Sequence, residues 1–227
     1  MKFLPSKSDR RVFDKICSEY DLVYFGTADR RDDGYKQIQG LTQSPHQRDE
    51  NYCVGDVHGY PVVFIERHIT VKKRGEKARG YRWVILQIEL SSTYLPHIFV
   101  SGRRRDHELY GSLVASFLRL MVVSHRHFPS VDNDEFADTF TVYAQPDAVA
   151  TIEQIFTPAI TKVLAAHYGE LDFEMNEDKL LIYSSDHHVT LRLLSTMLRA
   201  GIWLARHLDA QIVTTPEQIK SGIISKN

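Results

Sequence analysis

Between Tyr60 and Val71 the side chains alternate with a period of two. Val62, Phe64, Glu66, His68 and Thr70 fall on one side, and Val63, Ile65, Arg67, Ile69 and Val71 on the other. That is the pattern of a strand with two distinct faces. Tyr52 to Val54 precedes it across Gly55-Asp56-Val57-His58-Gly59, and the two runs read as a hairpin. Tyr81 to Leu90, rich in β-branched and aromatic residues, predicts the next antiparallel strand, and Tyr94 to Val100 a fourth. Leu22 to Phe25 is long enough for a short strand only.

Elsewhere the spacing becomes helical. Ser8 and Asp9 precede Val12, Phe13, Ile16 and Tyr20, a capped amphipathic helix with Cys17 at the border of its apolar stripe. Leu109, Leu113, Phe117 and Leu120 or Met121 predict a helix over 106–122, although Val122-Val123 also fits a strand start. Phe136, Phe140, Val142 and Tyr143 read as a strand-like run. Pro146-Asp147 opens a short helix through Ile155, and Thr157-Pro158 opens a second that stops at Gly169. A hairpin follows, Leu171 to Met175 and Lys179 to Tyr183. The last element is a long helix over 189–208, apolar at Leu191, Leu194, Leu198, Ile202 and Ala205, with Asp186 placed as a cap.

Strands adjacent in sequence, with helices grouped rather than alternating, predict an α+β fold: a mainly antiparallel sheet with packed helices and a long C-terminal helix. The expected organisation is an N-terminal helix and polar loop arm over 1–48, an α+β domain over 49–213 and a loose tail over 214–227. Within the arm, Gly26 to Asn51 is polar and predicts a long loop with one short strand around Tyr35 to Leu41.

Composition narrows the function classes. The 227 residues carry 28 Lys and Arg against 29 Asp and Glu, so the chain is neither a bulk polycation nor a polyanion. Two cysteines, Cys17 and Cys53, provide no disulfide framework or zinc knuckle. The N-terminus has no secretory apolar core and no apolar run reaches the about 20 residues of a membrane span. The expectation is a cytoplasmic chain, peripheral to the inner membrane where it meets one, and without a cofactor.

One string resembles a known family. Asp134 to Tyr143, then Ala150, Ile155-Phe156-Thr157-Pro158, Tyr168-Gly169 and Leu180 to Tyr183, with upstream Gly55, Gly59, Val63-Phe64 and Glu66, resemble the bacterial domain-of-unknown-function family 3137. The resemblance covers roughly 50–209. It implies an α+β domain, often in proteins that carry membrane-spanning helices elsewhere, and no activity for any residue.

Three features carry candidate chemistry. Gly55-Asp56-Val57-His58-Gly59 resembles the first metal-binding motif of calcineurin-like metallophosphoesterases, with Asp56 and His58 as ligands. The downstream motifs of that family are absent, and two glycines bracketing Asp-Val-His also make a tight turn. Eleven histidines include His125 with His127, His187 with His188, and His58 with His68, types that ligate metals where they converge. Lys72 to Arg82 holds six cations and one anion in eleven residues at an expected hairpin tip. Lys72, Lys73, Arg74, Lys77, Arg79 and Arg82 are thus candidates for an anionic surface, lipid headgroup or nucleic-acid phosphate. Arg103-Arg104-Arg105 is a second basic cluster, and Arg192, Arg199 and Arg206 share a helix face. No nucleophile elbow, P-loop or dinucleotide fingerprint is present. The sequence therefore favours a non-enzymatic binding or scaffold domain with a protein or anionic partner. A metal-dependent phosphoesterase using Asp56, His58, His125 and His127 is the alternative, and a purely architectural subunit the third option.

Overall fold

The computed structural model describes residues 7–27, 38, 40, 42, 47–71, 79–91, 94–102, 120–123, 134–185 and 188–212. The chain runs α1 (Lys7–Glu19), β1 (Val23–Gly26), β2 (Gln47–Val57), β3 (Tyr60–Val71), β4 (Arg79–Glu89), β5 (Leu95–Gly102) and β6 (Met121–Val122). It continues with α2 (Asp134–Thr139), β7 (Phe140–Ala144), a 3₁₀ turn (Pro146–Ala148), α3 (Val149–Ile155), α4 (Pro158–Tyr168), β8 (Asp172–Glu177), β9 (Lys179–Ser184) and α5 (Leu191–Ile212). The nine strands form one sheet in the order β1-β2-β3-β4-β9-β8-β5-β7-β6. Every pairing is antiparallel. This is broadly the α+β architecture the periodicity predicts, with the sheet dominating.

Alternation gives the sheet two unlike faces. Val62, Phe64, Val84, Leu86, Ile88, Leu180 and Ile182 line the helical face, against Phe13 and Ile16 of α1 and Leu194, Met197, Leu198 and Ala205 of α5. Phe136, Phe140, Phe156 and Phe173 extend this core as a chain of ring contacts. The opposite face buries Ile38, Tyr52, Val63, Ile65, Ile69, Trp83, Ile85, Leu181 and Tyr183. Among the described residues, no helix is long and apolar enough to cross a membrane.

Several elements differ from the sequence expectation, each for a physical reason. β2 begins at Gln47, inside the stretch expected as polar loop. There Gln47, Asp49, Glu50 and Asn51 are polar but buried, and cross-strand partners satisfy two of them: Arg67 meets Asp49, and Asn51 meets Glu66. The N-terminal residues expected as an arm supply Phe13 and Ile16 to the main core and Ile38 to the other face. Phe136 lies on a short helix, not a strand, and β7 begins only at Phe140. Met121 and Val122 form an exposed edge strand, whereas most of the expected 106–122 helix falls outside the described residues. The cap of α5 is Thr190, whose Oγ1 accepts from the Leu193 amide (3.1 Å); Asp186 falls outside the described residues. Arg192, Arg199 and Arg206 are exposed, as their spacing predicts.

Candidate functional site

The β2–β3 turn settles what Gly55 to Gly59 do locally. Val57 pairs with Tyr60, leaving His58 and Gly59 as a two-residue loop. Both have positive φ, 55° and 85°, the conformation of a type I′ hairpin turn. Asp56 Oδ1 accepts from the Gly59 amide (2.8 Å), so this carboxylate braces the turn, in the exposed position where the chain reverses. Gly55 lies within β2, where a Cβ would come 2.6 Å from Leu22 Cδ2. The motif thus fits an antiparallel turn, and the buried parallel strand that a phosphoesterase site leaves is not what precedes it here. Because His58 occupies the left-handed region, His58→Val should cost about 1–2 kcal/mol, and His58→Gly less than about 1 kcal/mol in either direction. Urea unfolding of the two variants measures this difference.

Of the expected histidine pairs, His58 and His68 separate: His58 lies in the turn before β3 and His68 near its other end, roughly 30 Å apart at about 3.3 Å per residue. His125, His127 and His187 fall outside the described residues, and His188 is exposed ahead of α5.

Of the six cations proposed for anion binding, Lys72, Lys73, Arg74 and Lys77 fall outside the described residues. The backbone of Arg79 pairs with Val71, the last register pair of β3 and β4. Arg82 is built into the fold. Its Nη2 donates to Asp9 Oδ2 (2.9 Å), its Nε lies 2.8 Å from Glu66 Oε1, and its side chain is 19% exposed. Arg82 therefore links the first turn of α1 to β3 and β4 and is not a free cation for a partner.

These contacts lead to a group that spacing alone did not assemble. In the β2–β3–β4 register Arg48 faces His68, which faces Arg82; one step along the same face, Glu50 faces Glu66. Glu50 and Glu66 are directly opposed and nearly fully buried, an arrangement that sheets disfavour without compensating charge. His68 Nε2 lies 2.7 Å from Glu66 Oε1 and 4.0 Å from Glu50 Oε2. Arg48 forms an ion pair with Glu50. Behind Glu66, Asn51 Nδ2 donates to its Oε2 (2.8 Å), and Tyr24 Oη donates to Asn51 Oδ1 (2.7 Å). Asn51 stands at a register shift in β2 with φ of 53°, a bulge that turns its amide toward the carboxylate.

The two carboxyls are driven apart electrostatically. Burial pushes Glu50 above the ordinary carboxylate value, more than Arg48 and His68 pull it down, and the Glu66 charge adds to the rise. Burial also pushes Glu66 upward, but the hydrogen bond with His68, the charge and hydrogen bond of Arg82, and the Asn51 amide outweigh it, leaving Glu66 below that value. The signal visible in the sequence was Glu66 and His68 on the same alternating face as Phe64. Arg48 and Glu50 fall in the polar stretch expected as loop, and Asp9 lies 73 positions from Arg82.

Two other polar groups are tied into the fold. On the opposite face Glu174 is held by Tyr183, whose hydroxyl donates to Oε2, and by His97 (2.7 Å to Oε1). Gly40 lies close against that pair. Cys17 and Cys53 are buried free thiols in contact across α1 and β2. Their mutual hydrogen bond lowers Cys17, while that bond and then burial raise Cys53.

No protein-family model matches the chain, so the resemblance drawn from its hairpin glycines and Phe136 to Tyr143 rests on those motifs alone. No curated protein matches it. Among solved structures, the crystal structure of the mycobacterial trehalose monomycolate transport factor A, TtfA, is similar in fold: the TM-score is 0.55 at 8% identity, over 91% of this chain and 95% of that one.

Proposed function

We propose that this chain is a non-enzymatic binding or scaffold domain that docks on an anionic lipid surface through Lys72, Lys73, Arg74, Lys77 and Arg79. The observation that supports the reading is the β3–β4 register. It pairs Val71 with Arg79, the ends of two long strands between which the sequence holds most of these cations, while Arg82 is neutralised internally by Asp9 and Glu66. A short, concentrated basic segment suits a headgroup layer. A nucleic-acid track needs cations spread along several phosphates with stacking aromatics between them, and no aromatic lies between Lys72 and Arg79. The structural neighbour is named a trehalose monomycolate transport factor, and at 8% identity the likeness carries the fold alone.

The test is co-sedimentation with vesicles containing phosphatidylglycerol, against neutral vesicles and a single-stranded oligonucleotide. Salt-sensitive binding to the anionic vesicles is expected. Reversing Lys72, Lys73 and Arg74 to Glu should weaken it by at least about 100-fold, from about 1 kcal/mol per basic residue. The melting temperature should move by less than about 2 °C. Unchanged vesicle binding by the triple variant, or binding to the oligonucleotide alone, overturns the lipid reading.

A further inference from the structure

We propose that Glu50, Glu66 and His68 form a site for one divalent first-row transition-metal ion. Among the described residues they are the group of His, Cys, Asp and Glu whose ligand atoms converge, with one atom from each lying within 4.8 Å of the others. Two carboxylate oxygens and one imidazole nitrogen match the preferences of Zn²⁺, Mn²⁺ or Fe²⁺. The 2.7 and 4.0 Å separations from His68 Nε2 bracket the about 3.3–3.6 Å between donors of a tetrahedral ion with bonds of 2.0–2.2 Å. Small side-chain movements therefore suffice to close the site.

The surroundings support a built site. Both carboxylates are buried and directly opposed across β2 and β3, and among the described residues Glu50 Oε1 receives no hydrogen bond of acceptable geometry, its companion being the charge of Arg48. The His68 side chain is 33% exposed, which leaves one side of the group open for entry and for a water or ligand on the ion. Asn51, held by Tyr24, fixes Glu66 from behind, the role an outer hydrogen-bonding residue has around bound metals. Two cations already contact the group and an entering ion must replace part of what they do. Arg48 is 44% exposed at its side chain and can turn to solvent. Arg82 retains Asp9 through Nη2 when its Nε leaves Glu66. A dication then balances the two carboxylates that the arginines balance in its absence.

The site is separate from the Asp56–His58 turn at the far end of β3, and it does not depend on the lipid reading. The experiment is calorimetric titration of the full chain, first stripped with chelator and desalted, with Zn²⁺ and Mn²⁺, and with Co²⁺ for its visible absorption. One saturable ion per chain is expected. Glu50→Gln, which retains shape and removes a charge that burial opposes, should abolish that binding while circular dichroism and the melting curve show an intact fold. His68→Ala should remove the Co²⁺ bands. Asn51→Gly, which preserves the positive φ while deleting the amide, should weaken binding about 10–100-fold. Asp56→Asn and the Lys72, Lys73, Arg74 reversal should leave it unchanged. Absence of saturable binding, or binding that survives both Glu50→Gln and His68→Ala, overturns the site and leaves an ion-pair network only.

Discussion

Arg67→Ala should cost about 3–5 kcal/mol of folding stability, measured by urea unfolding. Arg67 is fully buried on the sheet face opposite the helices. Its Nε and Nη2 each donate to Asp49 at 2.8 Å, Nη1 donates to Thr42 Oγ1 (3.2 Å), and Nη2 also donates to the Ile38 carbonyl (3.0 Å). A bidentate pair recovers the desolvation of both charges only while both partners remain. Truncating the arginine removes the cation that balances the buried Asp49 carboxylate, leaving it the Gln47 amide (3.3 Å), and withdraws the donor that ties Ile38 and Thr42 to the sheet. Stability of a chain this size is on the order of 5–15 kcal/mol, so such a loss is a large share of the total. Replacing both partners, Arg67→Met with Asp49→Leu, should recover most of it, because no charge is then left buried. A loss below about 1 kcal/mol for the single variant would mean that Asp49 finds water, as an exposed pair does.

The second large effect separates two glutamates that look alike in the sequence. Glu66→Ala should destabilise by about 3 kcal/mol, since it leaves Arg82, His68 and the Asn51 amide without their common acceptor. Glu50→Gln, in metal-free protein, should be neutral or stabilising at pH 7. The pH dependence distinguishes them. Glu66 has a depressed folded pKa, so its contribution is complete above the ordinary value of 4.5 and is lost as pH falls through the folded pKa. Glu50 has a raised folded pKa, so its ionisation opposes folding; that cost is complete above the folded pKa and vanishes below 4.5. Both differences from wild type should therefore shrink on acidification, from opposite signs. Urea midpoints at pH 7 and pH 4 read this directly, and a Glu50→Gln variant less stable than wild type at pH 7 would contradict it.

The hairpins and the helix ends were legible because their signals are local. Val62 to Val71 alternates over its whole length, and Thr157-Pro158 sets a helix start without reference to distant residues. The beginning of β2 was not legible, because polarity along a chain is read as exposure, and Asp49, Glu50 and Asn51 are buried with partners from β3 and β2 itself. Phe136 and Phe140 support either period over so short a run, and the ring contacts with Phe156 and Phe173 accompany a helix that ends where β7 begins.

The candidate site divides along the same line. Glu66 and His68 shared a face with Phe64 in the bare alternation, which was enough to mark them as polar side chains on an apolar stripe. Their meaning required the register of three strands and the return of α1 across them.

The sequence by itself determined the α+β class with a mainly antiparallel sheet, a hairpin turn within Gly55 to Gly59, the long C-terminal helix and the concentration of cations between Val71 and Arg82, since each depends on residues within a few positions of one another. Only the tertiary structure decided that Arg82 is internally paired, that Cys17 meets Cys53, and that Glu50, Glu66 and His68 converge. Charge and ligand chemistry depend on distances of a few ångströms between side chains from different elements, and only the packed sheet and helices bring those elements together.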